Sequence, residues 1–164
     1  MEITILIFLF GGLFLGWSLG ANDAANVFGT AVGTRMVSFT SAAIICSVFV
    51  ILGAIISGAG TTETLGKLGA INALPGAFAA CVAAGISVYL MTKVGLPVST
   101  TQAIVGAIVG WNLYTGSSTN LQVLITILGT WILCPIIAGV IAMGLFTFTK
   151  RVILNRKLHI LRLD

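Results

Sequence analysis

Seven residues near the start of the chain, Gly20-Ala21-Asn22-Asp23-Ala24-Ala25-Asn26, set two amides and a carboxylate into an otherwise apolar segment. An ionised Asp near the centre of a bilayer costs ~2.5–3.5 kcal/mol on insertion scales, so such a residue normally faces a polar pathway or pairs with an ion. Asn22 and Asn26 are four apart and share a face if the segment is helical, with Asp23 beside them. Hard cations such as sodium take several oxygen ligands, and backbone unwound next to Gly20 would add carbonyls. Asp23, Asn22 and Asn26 are therefore candidate ligands of a sodium ion. The plainer alternative is that they only hydrogen-bond neighbouring helices, and these residues alone leave both readings open.

A second group, Gly95-Leu96-Pro97-Val98-Ser99-Thr100-Thr101-Gln102, precedes the apolar run Ala103 to Gly110. Pro97 forces Leu96 out of helical geometry, and Ser99 and Gln102 have the Ser-x-x-Gln spacing of a capping box, which places Ser99 at a helix N-cap. The first turn then offers open N–H groups, about half a positive charge and three hydroxyls, from Ser99, Thr100 and Thr101. Inside a membrane such a turn can hold an oxyanion, phosphate above all, without a buried Lys or Arg. Alternatively, the hydroxyls serve only their own backbone. Taken together, an anion-accepting turn and a cation-accepting cluster describe a symport site, in which sodium offsets the charge of an anion that is costly to dehydrate.

The elements that carry these groups must cross a membrane. The chain is 58% hydrophobic and only 7% charged, against about 25% charged in a soluble domain. Charges are absent from Ile3 to Asn22, Met36 to Thr62, Leu68 to Thr92 and Val94 to Thr149, and a span needs about 20 apolar residues. The last window is too long for one helix and is interrupted by Gly95, Pro97, Gly110 and the polar run Thr115 to Asn120, so it holds two crossings or a re-entrant piece plus one. The expected fold is all-α, a polytopic bundle of about five spans with broken or re-entrant helices. Its spans are Ile3 to about Val32, broken near Gly20; Val37 to Ser57; Ile71 to Thr92; a short Pro97 to Tyr114; and Leu121 to Phe148. With the N-terminus outside, five spans put Arg35, Lys93 and the tail on the cytoplasmic side and leave only Lys67 outside; four spans would reverse Arg35 and Lys67.

Residues 1–149 read as one transmembrane repeat and 150–164 as a basic interfacial tail or linker. That tail holds Lys150, Arg151, Arg156, Lys157 and Arg162, five of the eight basic residues behind the net charge of +4. This is the signature of anionic lipid rather than nucleic acid; His159, alone among these residues, carries no argument. The first apolar segment lacks a basic n-region and is read as retained. Cys46, Cys81 and Cys134 lie in apolar windows without metal-like spacing and read as packing residues. Glycines at 12, 16 and 20, and at 106 and 110, suggest close helix packing. Thr61 to Thr64 could start a short surface helix, with Glu63 and Lys67 an i, i+4 pair.

At the two polar motifs the chain resembles the inorganic phosphate transporter family. That family's signature reads Gly-Ala-Asn-Asp-x-Ala-Asn near the start of each half, with Pro-x-Ser-Thr-Thr followed by His or Gln further along. Here these are Gly20 to Asn26 and Pro97 to Gln102, in the same order. The resemblance implies sodium- or proton-coupled uptake of inorganic phosphate across the plasma (inner) membrane by a multi-pass protein of inverted repeats, with no resident cofactor. Carried onto matching positions, it implies that Ser99, Thr100, Thr101, Gln102 and Asn22 meet phosphate and that Asp23, Asn26 and Asn22 meet sodium.

The family carries the Asn-Asp motif twice and this chain carries it once, so it resembles an N-terminal half. An odd number of spans would make a homologous second half run inverted. The expected partner is another polypeptide, the remainder of a longer chain, or an antiparallel copy of the chain as a homodimer. Competing readings are proton coupling through Asp23, transport of another oxyanion such as sulfate or arsenate, and a non-transporting membrane subunit. An enzyme is disfavoured, because no His lies within a span and Asp23 is the only acid clearly at depth, which leaves no acid–base pair.

Overall fold

The computed structural model describes residues 2–69 and 74–154. Among them the chain forms five α-helices: α1 (Glu2–Gly33), α2 (Phe39–Leu68), α3 (Leu74–Lys93), α4 (Thr100–Thr115) and α5 (Leu121–Thr149), followed by a π-helical turn, Lys150–Leu154. The order and type of the five expected elements hold. Four helices are long and apolar enough to cross a membrane, and the chain is a multi-pass membrane protein. The short one is α4, whose 16 residues reach about 24 Å at 1.5 Å per residue.

Two expectations change. First, α1 runs unbroken through Gly20. A mid-helix Gly costs only about 1 kcal/mol relative to Ala, whereas opening the ladder in lipid strands backbone groups at several kcal/mol each. Second, α2 does not stop at Ser57 but continues to Leu68, and Thr61 to Thr64 belong to its last turns rather than to a separate helix. Thr62 and Thr64 fold their hydroxyls back onto the carbonyls of Gly58 and Gly60, which hides their polarity within the helix. The Glu63–Lys67 pair forms as expected.

The chain divides into two units, residues 1–121 and 122–164. In the first, α3 is the central element. It runs parallel to α1, with Phe8 against Phe78, Trp17 against Tyr89 and Thr92 against Asn22. This is the direction required if α2 crosses back between them. Ala80, Ala84 and Val88 of α3 and Val105 and Ile108 of α4 are buried. Close approach is carried by Gly11, Gly76 and Gly85, where an added Cβ would meet Phe78, Trp111 and Phe14. The stripe Gly12, Gly16, Gly20 and the pair Gly106, Gly110 instead face open space among the described residues, so they are not the packing face they resembled.

That contrast yields a prediction. A Cβ on Gly85 would sit 2.7 Å from Phe14 Cδ1 and 3.4 Å from the Cα of Leu15, so Gly85→Val should destabilise the α1–α3 pairing by about 1–3 kcal/mol. Gly12→Val, which meets nothing within 4 Å, should stay within about 0.5 kcal/mol. Thermal unfolding of both variants in one detergent checks this; equal losses would remove the packing argument.

Helix ends follow local chemistry. The ends of α3 and α4 close on Gly95 and Gly116 with positive φ, each with the paired 6→1 and 5→2 hydrogen bonds of a Schellman motif: Leu96 N–H to Met91 O with Gly95 N–H to Thr92 O, and Ser117 N–H to Asn112 O with Gly116 N–H to Leu113 O. The end of α1 uses the same bonds, Met36 to Ala31 and Arg35 to Val32, but puts Arg35 in the left-handed region at φ 61°. That conformation costs a non-glycine residue about 1–2 kcal/mol. Arg35→Gly should therefore raise stability by about 1 kcal/mol, readable as a higher unfolding temperature; a lower one would mean that the arginine side chain outweighs its backbone strain.

In the second unit α5 continues through Pro135, whose missing N–H leaves the Trp131 carbonyl without its usual helical partner. Cys46, Cys81 and Cys134 are free thiols. Cys46 and Cys81 are half-buried, as packing residues would be, whereas Cys134 is exposed. The rest of the basic tail, residues 155–164 with Arg156, Lys157, His159 and Arg162, lies outside the described residues.

Candidate functional site: a carboxylate clipped to a helix start

Between α3 and α4 the chain turns at Gly95, Pro97 keeps the approach extended, and Ser99 (φ −88°, ψ 117°) caps α4 by accepting the Gln102 N–H. The expected cap therefore forms, with an N···O distance of 3.3 Å. The first bond within α4 runs from Ala103 N–H to Ser99 O, so the N–H groups of Thr100 and Thr101 have no acceptor inside the helix.

This helix start is docked on the middle of α1 by Asn22. The Asn22 side chain is buried; its amide nitrogen donates to the Val98 carbonyl at 2.7 Å and to Asp23 Oδ1 at 2.8 Å. Both amide hydrogens are thereby used. Its oxygen accepts the Thr92 hydroxyl at 3.3 Å, longer than a well-made O–H···O bond. Asn22 thus ties together α1, the end of α3 and the lead-in to α4. Thr100, also buried, donates its hydroxyl to Asp23 Oδ2 at 3.2 Å.

Asp23 consequently accepts one neutral donor on each oxygen. It has no basic partner: the ion pair among the described residues joins Lys67 and Glu63. Half-buried within a membrane helix, this carboxylate has a remaining lone pair on each oxygen and no positive side chain opposite among the described residues. Among the described residues no three His, Cys, Asp or Glu side chains come together, so the donor set is oxygen alone and suits a hard cation.

The structure brings Asn22, Asp23 and Thr100 together. Asn26, one turn further along α1, is exposed, as are Ser99, Thr101 and Gln102. Ser99 and Gln102 line a cleft of about 350 Å³ with Ser87, Val88, Met91, Pro97, Val98 and Ala103, on the α3 side of the α4 start rather than on the Asp23 side. Two residues beside this cluster are not singled out by the sequence. Thr92 reaches Asn22 across seventy residues of chain, and nothing local signals it. Ser18, one turn before Asn22, is 1% exposed with no hydrogen-bond partner among the described residues, at a typical cost of about 1–3 kcal/mol. Its i−4 spacing from Asn22 was the available signal.

Comparison with known proteins places the chain. Residues 19–163 match the phosphate transporter family. A protein of Pyrococcus furiosus provisionally named a phosphate permease is 37% identical, covering 94% of this chain and 39% of that protein. A sodium-dependent phosphate transporter of Plasmodium falciparum is 32% identical over 88% of this chain and 23% of its own length. A solved structure titled as the sodium-dependent phosphate transporter superposes with a TM-score of 0.82 at 30% identity, covering 96% of this chain and 41% of that one. The chain spans about two fifths of the first of these relatives and of the solved structure.

Proposed function

The chain belongs to the phosphate transporter family, and we propose that it supplies one half of a site that carries inorganic phosphate across a cell membrane together with sodium ions. The observation that carries this reading is Asp23, a mid-helix carboxylate held by Asn22 and Thr100 at the start of α4 with no basic side chain among the described residues to neutralise it. A carboxylate and a phosphate held at the same helix start repel each other, and a cation between them relieves that repulsion. Sodium is that cation: Asp23 holds it, and it bridges to a phosphate whose oxygens accept the free N–H groups of Thr100 and Thr101. The exposed Thr101 hydroxyl is the nearest candidate to add to the phosphate's hydrogen bonds, whereas Ser99, used as the cap, and Gln102 border the cleft on the α3 side and would meet phosphate only from there.

Asn22 and Asn26 have different parts. Asn22 spends both amide hydrogens on Val98 and Asp23, so it positions the carboxylate and offers its oxygen alone to an ion. Asn26 is open at the face of α1 and is available to sodium or to the other half of the site. That other half is a homologous, inverted repeat, supplied by a second polypeptide, by further sequence of the same chain, or by an antiparallel copy. Sodium is favoured over a proton because both Asp23 oxygens already accept hydrogen bonds.

The direct test is uptake of radiolabelled phosphate into proteoliposomes that contain this chain with its homologous half, in sodium or in choline at one pH. Uptake is expected only with an inward sodium gradient. Equal uptake in choline, driven instead by a pH gradient, would replace sodium by a proton. No uptake by a verified assembly would leave a non-transporting subunit.

A further inference from the structure

We propose that Ser18 is a ligand of the transported cation, its hydroxyl joining Asn22 Oδ1 and the Thr92 hydroxyl in a neutral oxygen cluster for an alkali cation beside Asp23. The inference deepens the sodium reading above and rests on it. Hydroxyls elsewhere in these helices satisfy themselves locally: those of Thr34, Ser47, Thr62, Ser87 and Thr126 each donate to a carbonyl four residues back. Ser18 has the same option on α1 and does not take it, although it is buried.

Its surroundings say where it points. Ser18 lies between Leu15, whose Cα approaches Gly85, and Asn22, which meets Thr92. It is therefore on the stripe of α1 that packs on α3. Residues four apart on a helix stack about 6 Å apart on one face, so the Ser18 hydroxyl and the Asn22 amide share one interhelical space. In that space the Asn22 oxygen is held only by the 3.3 Å bond from Thr92 and keeps a free lone pair. The Asn22 and Thr92 oxygens thus meet beside the Asp23 carboxylate, and the unpartnered Ser18 hydroxyl one turn away lies on the same face of α1. Transporters bind sodium with this kind of donor set, in which neutral oxygens replace the hydration shell and one nearby acid supplies the charge.

The test is binding to this chain assembled with its homologous half, read as the rise in unfolding temperature with sodium chloride against choline chloride at equal ionic strength, for wild type, Ser18→Ala, Ser18→Cys and Asp23→Asn. Ser18→Ala removes an unpartnered hydroxyl, so it should fold as well as wild type in choline. Both Ser18 variants should need about ten times more sodium for the half-maximal shift, the loss of one good ligand; Ser18→Cys keeps the size but offers a soft sulfur. A wild-type sodium response left unchanged in both Ser18 variants overturns the Ser18 assignment and leaves Asp23 standing. A response lost in the Ser18 variants but kept in Asp23→Asn supports the oxygen cluster and overturns the role given to Asp23. No response in wild type overturns both, including the case in which Ser18 holds only a water.

Discussion

Asp23→Asn is expected to abolish sodium-driven phosphate uptake while leaving the helices assembled. The substitution keeps the shape of the side chain, so its remaining oxygen still accepts from Asn22 or from Thr100, and only the other end loses an acceptor. The charge is what disappears. Two unit charges 4 Å apart interact by about 4 kcal/mol at an effective dielectric constant of 20, and each 1.4 kcal/mol is about a factor of ten in affinity. Discounted for the desolvation that the neutral side chain no longer suffers, sodium affinity should fall by at least about a hundredfold. Phosphate affinity should fall with it, because the bridging cation is what makes the site tolerate an anion. Uptake into sodium-free proteoliposomes as a function of external sodium measures the first effect, and the phosphate concentration for half-maximal residual uptake at the highest external sodium measures the second. Wild-type transport by Asp23→Asn would mean that the cation sits elsewhere, and the asparagine and hydroxyl network would then be structural.

Much of this arrangement is written locally in the chain. Pro97, Ser99 and Gln102 sit at the spacing of a helix start, and α4 begins one residue after Ser99, because capping is settled by atoms within three residues. Gly95 and Gly116 mark the ends of α3 and α4 for the same reason. Asp23 stands out because lipid has no other use for an acid.

What could not be read is set by contacts distant in sequence or by competition between whole faces. The Asn22–Val98 bond spans 76 residues, and no spacing rule announces it. The glycines at 12, 16 and 20 resembled a packing stripe, yet α1 packs through Gly11, Leu15, Ser18 and Asn22. Their spacing of four, three and four follows one helix face, whereas a strict four-residue spacing drifts around the helix by about 40° per step. The expected break at Gly20 failed on energy: a glycine permits unwinding, but among the described residues a Cβ at Gly20 meets nothing within 4 Å, so freed backbone groups on that face would lack a protein partner. The oxyanion half of the site separated for a related reason. Ser99, Thr100 and Thr101 are successive residues at a helix start and point in different directions, so Thr100 turns to Asp23 while Ser99 is used as the cap.

The Asn22 clip carries the other large expected effect. Asn22→Asp changes one nitrogen to an oxygen, with almost no change in volume, yet it should be among the most damaging substitutions in the chain. The replaced atom faces the Val98 carbonyl at 2.7 Å and Asp23 Oδ1 at 2.8 Å, so two hydrogen bonds become two contacts between acceptors, inside a cluster already holding one carboxylate. An uncompensated buried charge typically costs about 3–5 kcal/mol, which is a large share of the stability of a small domain. Asn22→Ala should cost less, about 1–3 kcal/mol, because it leaves the Val98 carbonyl unsatisfied without adding charge. The two variants therefore separate the roles of the side chain. If Asn22 is a clip, Asn22→Asp unfolds at a lower temperature than Asn22→Ala in sodium-free buffer. Added sodium should then restore Asn22→Asp more than Asn22→Ala, since a cation between two carboxylates relieves their repulsion. Equal unfolding temperatures for the two variants would show that the α4 lead-in is held by other contacts, and the hydrogen bonds of Asn22 would lose the positioning role on which the geometry of the Asp23 site depends.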